Sequence, residues 1–503
     1  MHDIPHFLDK INPIFDLKTA EEYQDFKVSK EDKATFGIIY TPFSLIQNMF
    51  SLLPDTVFEN PNNTWLDMGA GTGYFSIYLY HRLFISLQNQ IPNPAKRKKH
   101  IIKNMIYMAE IKESHIIHLK HIFGKDANII SNDFLSLNET EKNEKNEKNE
   151  KMKQNNFNII IGNPPYNCSG QIKTPTNTHM EKTQDGKTVW PDFIKKTVEL
   201  LVPNGYLLAI TPAIWLKPDK AGIYKLLVGA NPYSKFKLLK LYALSTSETN
   251  KIFNYQAQTP TTCFLAQKKN DNESAKSNGS CQIYDKSLQQ YIEYPICGEK
   301  NIPIPISSIS IIKKLLETID RVGHIQVYKT NMPSAKSIFS ISPKPDYPYK
   351  NVKTCIFSSR KSTSGVSSPE IIYEYSNIRQ AYSTPNKPKL IFAHKMFGFP
   401  FLDKSGDLGI SYRDNYVITD KSLQELQTLQ KFFSTKLVLA IYDATRYRMR
   451  YLEKYAFELI PDITKLNDFP TDITDNTIAD YFDFSQQDRE IIKEFPEYII
   501  DTF

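Results

Sequence analysis

From residue 64 to residue 211, short apolar runs alternate with stretches whose apolar positions recur at helical spacing. Thr64–Met68, Met105–Glu110, Ala127–Ser131, Phe157–Ile161 and Tyr206–Thr211 read as strands, and Tyr74–Leu87, Ser114–Phe123 and Asp192–Leu201 as helices. Ahead of them, Phe36–Thr41 reads as a short strand or loop. Pro42 then opens a helix through about Leu53, because proline suits a first helical turn, with Thr41 as its N-cap. A Pro-Asn-Gly turn at Pro203–Gly205 separates the last helix from the last strand. This alternation predicts an α/β domain with a largely parallel sheet. After about residue 300 aromatic and basic residues intermix, and runs such as Lys389–Phe392 sit between loops, so 301–503 reads as a separate domain of mixed α and β.

Three stretches interrupt the pattern. Pro92–Lys103, with Lys96, Arg97, Lys98 and Lys99, reads as a solvated basic loop. Residues 138–156 repeat a Glu-Lys-Asn triplet, which offers no face to bury and predicts a disordered surface insertion. Asn270–Ser280 is polar and turn-rich, a candidate linker.

Composition narrows the class only slightly. At 503 residues the chain has room for more than one domain, and 41% hydrophobic residues supply sizeable cores. The net charge of +7 permits a nucleic-acid partner without requiring one. The five cysteines form no Cys-x-x-Cys pair, which argues against a zinc ribbon or redox dyad; no metal is expected, and the compartment is expected to be reducing. Asp3, Asp9 and Asp16 break any apolar leader, and no run approaches the roughly 20 apolar residues of a membrane span. A soluble, intracellular protein with no membrane partner is the expectation.

Candidate chemistry begins at Asp67-Met68-Gly69-Ala70-Gly71-Thr72-Gly73, a glycine loop between a strand and a helix. Glycines belong where a ligand approaches the backbone and where φ is positive. Ligands of such sheets sit outside the carboxyl ends of the strands. The spacing is GxGxG, not the GxGxxG of dinucleotide binders. Glu110 ends the next strand, where a carboxylate could take two ribose hydroxyls, or be no more than a solvated strand end. Asp133-Phe134, at the end of the third, suits an adenine ring; the same pair could also be a helix cap and a core phenylalanine.

Asn163-Pro164-Pro165-Tyr166 follows the fourth strand. An exocyclic amino group is a poor nucleophile because its lone pair is delocalised into the ring. Two acceptors aimed at its protons draw the nitrogen toward sp3 geometry. Asn163 offers a side-chain oxygen and Pro164 a backbone carbonyl, and the two prolines preorganise both. Tyr166 supplies a ring for an extruded base, a contact worth about 1–3 kcal/mol against a flipping cost of a few kcal/mol.

These motifs, in this order with Phe36–Pro42 (FGIIYTP) ahead of them, resemble the gamma class of DNA adenine-N6 methyltransferases of restriction–modification type. The resemblance covers roughly residues 30–270. It extends weakly to Phe433–Leu437 (FSTKL) and Leu459-Ile460-Pro461, which resemble the end of a target recognition domain. It implies a Rossmann-like sheet with helices on both faces that uses S-adenosyl-L-methionine, followed by an α+β target recognition domain. The division expected is an N-terminal segment 1–30, a catalytic domain 31–300 and a recognition domain 301–503. Carried over, Thr41 helps hold the methionine part of the cofactor, and Asp67, Gly69, Ala70, Gly71 and Gly73 line it. Glu110 takes the ribose, and Asp133 and Phe134 the adenine. Asn163, Pro164, Pro165 and Tyr166 hold the target adenine, and Phe253, or else Tyr255, covers its second face.

Site-specific methylation of double-stranded DNA by base flipping is the function so implied, with a separate restriction endonuclease as a further partner. No nuclease pattern is evident and the first 35 residues leave little room for one, so the expectation is a stand-alone methyltransferase. Arg360, Lys361, His394, Lys395, Arg446, Arg448 and Arg450 are the candidate DNA contacts, though each is also a plausible solvated charge. The Asn-Pro-Pro-Tyr loop also serves protein glutamine-N5 and RNA base methyltransferases, and a non-catalytic cofactor-binding module would retain the same fold. Cytosine-N4 methylation more often accompanies Ser at the place of Asn163.

Overall fold

The computed structural model describes residues 39–137, 157–168, 187–229, 233–255, 257, 259–270, 279–296, 300–357, 369–393, 399–413, 415–448 and 452–495. The chain divides into two compact units, Met1–Gln282 with Ile296–Glu299 and Ile283–Pro295 with Lys300–Phe503. The Glu-Lys-Asn tract, Phe36–Ile38, most of the candidate linker, Arg360, Lys361, His394, Lys395 and Arg450 lie outside the described residues.

The first unit holds helix α1 (Phe43–Phe50), β1 (Trp65–Asp67), α2 (Tyr74–Ser86), α3 (Pro94–His100), β2 (Ile106–Ala109), α4 (Glu113–Phe123), β3 (Asn128–Ile130), β4 (Phe157–Gly162), α5 (Trp190–Leu200), β5 (Leu201–Pro212), β6 (Phe236–Leu244), α6 (Thr246–Ile252) and β7 (Thr261–Lys268). These strands run in the order β3-β2-β1-β4-β5-β7-β6. The first five are mutually parallel, and β7 inserts antiparallel between β5 and β6. This is the largely parallel, Rossmann-like α/β sheet that the alternation of strand and helix predicts.

Burial explains why the central strands form. All three residues of β1 are buried, and Trp65 lies against Phe50 and Phe58 with ring centroids 6.5 and 5.2 Å away. Leu45, Ile46, Met49 and Phe50 make one face of α1, which packs on α2. Each such side chain, fully buried, contributes about 1.5–3 kcal/mol. The parallel register sets Asp67 beside Met108 and Ile161, so the loops after β1, β2 and β4 leave the sheet at one edge.

Three local expectations need correction. Pro92–Lys103 is not a solvated loop. Asn93 accepts from the Lys96 amide at 2.9 Å and Pro94 occupies the first turn, so α3 forms and leads into a π-helical turn, Ile101–Met105. Arg97 is buried: its guanidinium lies 4.2 Å from the Phe84 ring centroid and donates to the Ile91 carbonyl at 3.2 Å. The long apolar stem of arginine lets a cation belong to a core edge. Thr41 does not cap α1, whose N-cap is Pro42 with no side-chain bond. The Pro203–Gly205 turn lies within β5: Phe157 pairs with Leu201 and Ile159 with Tyr206, and Asn204 takes φ 63° in the intervening bulge.

In the second unit, α7 (Ile309–Val322) is followed by two four-stranded sheets. The strands are β8 (Tyr328–Lys329), β9 (Phe339–Ser340), β10 (Tyr349–Phe357), β11 (Pro369–Ser376), β12 (Lys389–Phe392), β13 (Pro400–Asp403), β14 (Gly409–Ile410) and β15 (Tyr416–Ile418). One sheet runs β8-β15-β12-β13 and the other β9-β11-β10-β14. Helices α8 (Leu423–Phe433) and α9 (Lys436–Ala444) follow. Phe433 and Leu437 of the FSTKL run are buried, as are Leu459, Ile460 and Pro461, so both motifs are core. Lys389 and Asp403 form a buried ion pair, 2.5 Å long, across β12 and β13. Gly406, Leu408 and Ser405 also donate to the Asp403 carboxylate, the hydrogen bonding a buried charge requires.

Candidate active site

The carboxyl ends of β1, β2, β3 and β4 line one cleft that opens to solvent. Its wall includes Thr41, Gly69, Ala70, Gly71, Glu110, Asp133, Phe134 and Asn163 through Tyr166. Tyr40, Tyr74, Phe75 and Phe193, which the sequence does not single out, also line it.

The glycine loop turns sharply after Asp67. Gly71 has φ 56° and Gly73 φ 93°, and a Cβ on Gly73 would lie 2.8 Å from Leu119 Cδ2. Gly73 does not line the cleft; it lets α2 start close against α4. Asp67 lies beneath the loop, 1% exposed. Its carboxylate accepts from Ser76 Oγ at 2.9 Å and from the Gly69 amide at 3.4 Å. Burial pushes the Asp67 carboxyl up to about 7, and the Glu110 charge acts in the same direction.

Glu110 is not a loose strand end. Its Oε2 accepts from the Gly71 amide at 2.7 Å, and Oε1 from the amides of Ile111 and Lys112 at 2.9 and 2.8 Å. His115 Nδ1 lies 3.5 Å from Oε2, and the other ring nitrogen lies 3.5 Å from the Tyr40 hydroxyl. The carboxylate is thus fixed at the rim of the glycine loop. Asp133-Phe134 forms the cap and core pair that the plainer reading expects. Asp133 caps a short 3-10 turn by accepting from the Leu135 amide at 3.1 Å, and Phe134 is buried. Both still line the cleft. The Phe134 ring stacks on Phe193 of α5 with centroids 5.0 Å apart and planes 6° from parallel.

At the end of β4, Gly162 (φ 146°) passes so close to the β1 loop that a Cβ would lie 3.1 Å from Met68 Cγ. Asn163 Nδ2 donates to Thr41 Oγ1 at 3.1 Å and to the Ile39 carbonyl at 3.5 Å. A carbonyl only accepts, so these bonds fix which side of the amide is nitrogen. Asn163 Oδ1, on the other side, is buried and has no hydrogen-bond partner. Tyr166 is 9% exposed and its hydroxyl is likewise buried and unpartnered, with burial holding its proton on well above the ordinary range.

Other expectations diverge from the structure. Phe253 is 3% exposed and belongs to the hydrophobic core rather than to the cleft wall, because it closes α6 against the sheet. Tyr255 is 72% exposed. Arg446 lies 3.4 Å from Asp443, and Tyr447 between the arginines is fully buried, donating to the Ile304 carbonyl at 2.7 Å. Of the described candidate DNA contacts, Arg448 is exposed and Arg446 is held in this ion pair.

Residues 78–232 match the family model described as the Eco57I restriction-modification methylase. The match lies within the first unit, and over that stretch the chain is similar to the restriction–modification methylases. A Mycoplasma pneumoniae protein described as an uncharacterized adenine-specific methylase is 23% identical over 245 residues, 35% of this chain and 55% of that protein. The chain therefore spans about half the length of this curated relative. Among solved structures, a nuclease-deletion mutant of the Type ISP restriction-modification enzyme LlaGI, in complex with a DNA substrate mimic, covers 84% of this chain and 45% of its own, at 14% identity and TM-score 0.44. The type I restriction-modification methyltransferase subunit of Streptococcus thermophilus covers 55% and 54%, at 18% identity and TM-score 0.33. Among the described residues no helix is long and apolar enough to cross a membrane.

Proposed function

We propose that this chain transfers a methyl group from S-adenosylmethionine to the N6 amino group of adenine in double-stranded DNA, with the target base taken out of the helix into the cleft. One observation carries the reading: Asn163 Oδ1 is a buried acceptor with no partner at the wall of a cleft built from the glycine loop. A buried polar atom left unpaired costs about 1–3 kcal/mol, and an amino-group donor would relieve it.

The residues fit the cofactor. Glu110 stands where ribose hydroxyls would donate, the Gly69–Gly71 backbone leaves room for close approach, and Asp133 and Phe134 frame a place for an adenine ring. The bound cofactor would supply a methyl group on a positively charged sulfur, an electrophile that needs no prior activation. The protein's task is orientation. Thr41 and the Ile39 carbonyl occupy the donor side of the Asn163 amide, so its oxygen faces the incoming amino group. Pro164 and Pro165 stiffen the loop that carries the Pro164 carbonyl, the second acceptor. Both acceptors favour the pyramidal nitrogen of the transition state over the planar ground state, and so act on rate more than on binding. Tyr166 offers its ring to one face of the base. The second unit is the candidate recognition domain, and a separate endonuclease would be the partner of a restriction–modification pair.

The test is radiolabelled methyl transfer with plasmid DNA, total RNA and a glutamine-containing peptide as parallel acceptors. Incorporation into DNA alone is expected. Incorporation into RNA or peptide in its place would overturn the choice of substrate.

A further inference from the structure

In the second unit an apolar edge is left in water. Six of the thirteen large hydrophobic side chains exposed among the described residues fall between Tyr328 and Tyr412. Ile341 is 91% exposed and Ile338 57%, and they flank β9, the outermost strand of its sheet. The edge is held in place. The Ile338 amide donates to Asn377 Oδ1 at 2.8 Å, the Asn377 amide returns a bond to the Ile338 carbonyl at 3.2 Å, and Gln380 Nε2 donates to Ser337 Oγ at 3.0 Å. These bonds bring exposed Ile378 and Arg379 alongside.

The charge on this edge is predominantly positive. From Tyr328 to Lys350 the chain carries Lys329, Lys336, Lys344 and Lys350 against a single acid, Asp346. Lys336 and Lys344 are exposed, and among the described residues neither has an ion-pair partner. Lys350 Nζ lies 3.9 Å over the Tyr373 ring, and the Arg379 guanidinium 5.2 Å over Tyr349. Pro343, Pro345 and Pro348 follow the strand, and prolines with lysines on an edge oppose the addition of another strand. A second copy of this chain is therefore a poor occupant. A polyanion with apolar surface between its charges is a good one.

We propose that this edge, Lys336 to Lys350 with Ile378 and Arg379, docks on duplex DNA, the basic side chains meeting phosphates and Ile338 and Ile341 entering a groove. Lysines on phosphates position the protein without reading sequence, while apolar side chains contact thymine methyl groups or wedge at a base step. The proposal rests on the reading of the chain as a DNA methyltransferase and assigns its DNA contacts to a place other than the arginines near residue 446.

The experiment is fluorescence anisotropy of the full chain with short duplexes of mixed sequence over a series of salt concentrations. Each phosphate contact contributes about 0.9 to the slope of log affinity against log salt. The triple variant Lys336→Gln/Lys344→Gln/Lys350→Gln is expected to bind more weakly at low salt, its slope smaller by about 2 to 3. Ile338→Ala/Ile341→Ala is expected to weaken binding with its slope unchanged. Both should bind S-adenosylmethionine as the parent does, which reports that they fold. A parent chain that binds duplex and a triple variant that matches it in affinity and slope would overturn the proposal. A parent chain that binds no duplex would instead sink the DNA reading itself, and this docking with it.

Discussion

Thr41 Oγ1 accepts a hydrogen bond from Asn163 Nδ2 at 3.1 Å, joining the segment ahead of α1 to the loop after β4 across 122 residues of chain. The bond uses the donor side of an amide whose other side, Oδ1, is buried and free of partners. Thr41→Val keeps the shape and removes the acceptor. Its kcat is expected to fall about 5- to 10-fold, the value of one hydrogen bond of about 1 kcal/mol, with KM for the cofactor little changed. Thr41→Ser should restore the rate. Steady-state kinetics check this, and an unchanged kcat for Thr41→Val would mean that the bond does not orient Asn163.

Asp67 gives a pH signature. Its folded carboxyl is pushed up to about 7 from an ordinary 3.8, so between those values the folded state keeps a proton that the unfolded chain has released. Stability from this group therefore falls as pH rises from about 4 to about 7 and levels off above. The thermal midpoint of the parent relative to Asp67→Asn should drop across that window. A difference that stays constant from pH 5 to pH 8 would refute the assignment.

Gly73→Ala places a methyl group 2.8 Å from Leu119 Cδ2 on a backbone at φ 93°. A loss of about 1–3 kcal/mol is expected, read as a lower thermal midpoint or denaturation midpoint. Gly124, at φ 86° with no atom near its Cβ position, is the control for backbone strain without the clash.

Glu110→Ala removes the acceptor of three backbone amides at the rim of the cleft. Cofactor affinity by isothermal titration is expected to fall about 100-fold, from loss of charge-assisted bonds worth about 1.5–3 kcal/mol each. His115→Ala, which removes only the group 3.5 Å from that carboxylate, should cost less. Equal losses would place the histidine, not the carboxylate, in contact with the cofactor.

The sheet was legible because its strands are short apolar runs at regular intervals, with glycine or Asn-Pro-Pro punctuation where the chain turns back. Local periodicity carries that much. It missed α3 because four consecutive basic residues read as solvated, although Arg97 lies on an aromatic ring. It gave Thr41 to a helix end because the residue 122 positions away that claims its oxygen is invisible to a local window. Tyr40, Tyr74 and Phe193 reach the cleft only through tertiary packing, and no spacing announces them. The resemblance assigns Phe253 to the second face of the target base, but the core claims it. In the second unit, Lys389–Phe392 was readable, but strands of two residues such as β8 and β9 carry no periodicity to read.

The central claim is that Asn163 orients an adenine amino group for methylation. Unmethylated plasmid incubated with the protein and S-adenosylmethionine, then digested to nucleosides, should yield N6-methyldeoxyadenosine by mass spectrometry. Asn163→Ala should still bind the cofactor and yield about 100-fold less, as removal of a preorganised transition-state contact does. Undiminished product from Asn163→Ala, or cofactor binding by the parent with N4-methyldeoxycytidine or no modified base in the DNA, would contradict the account.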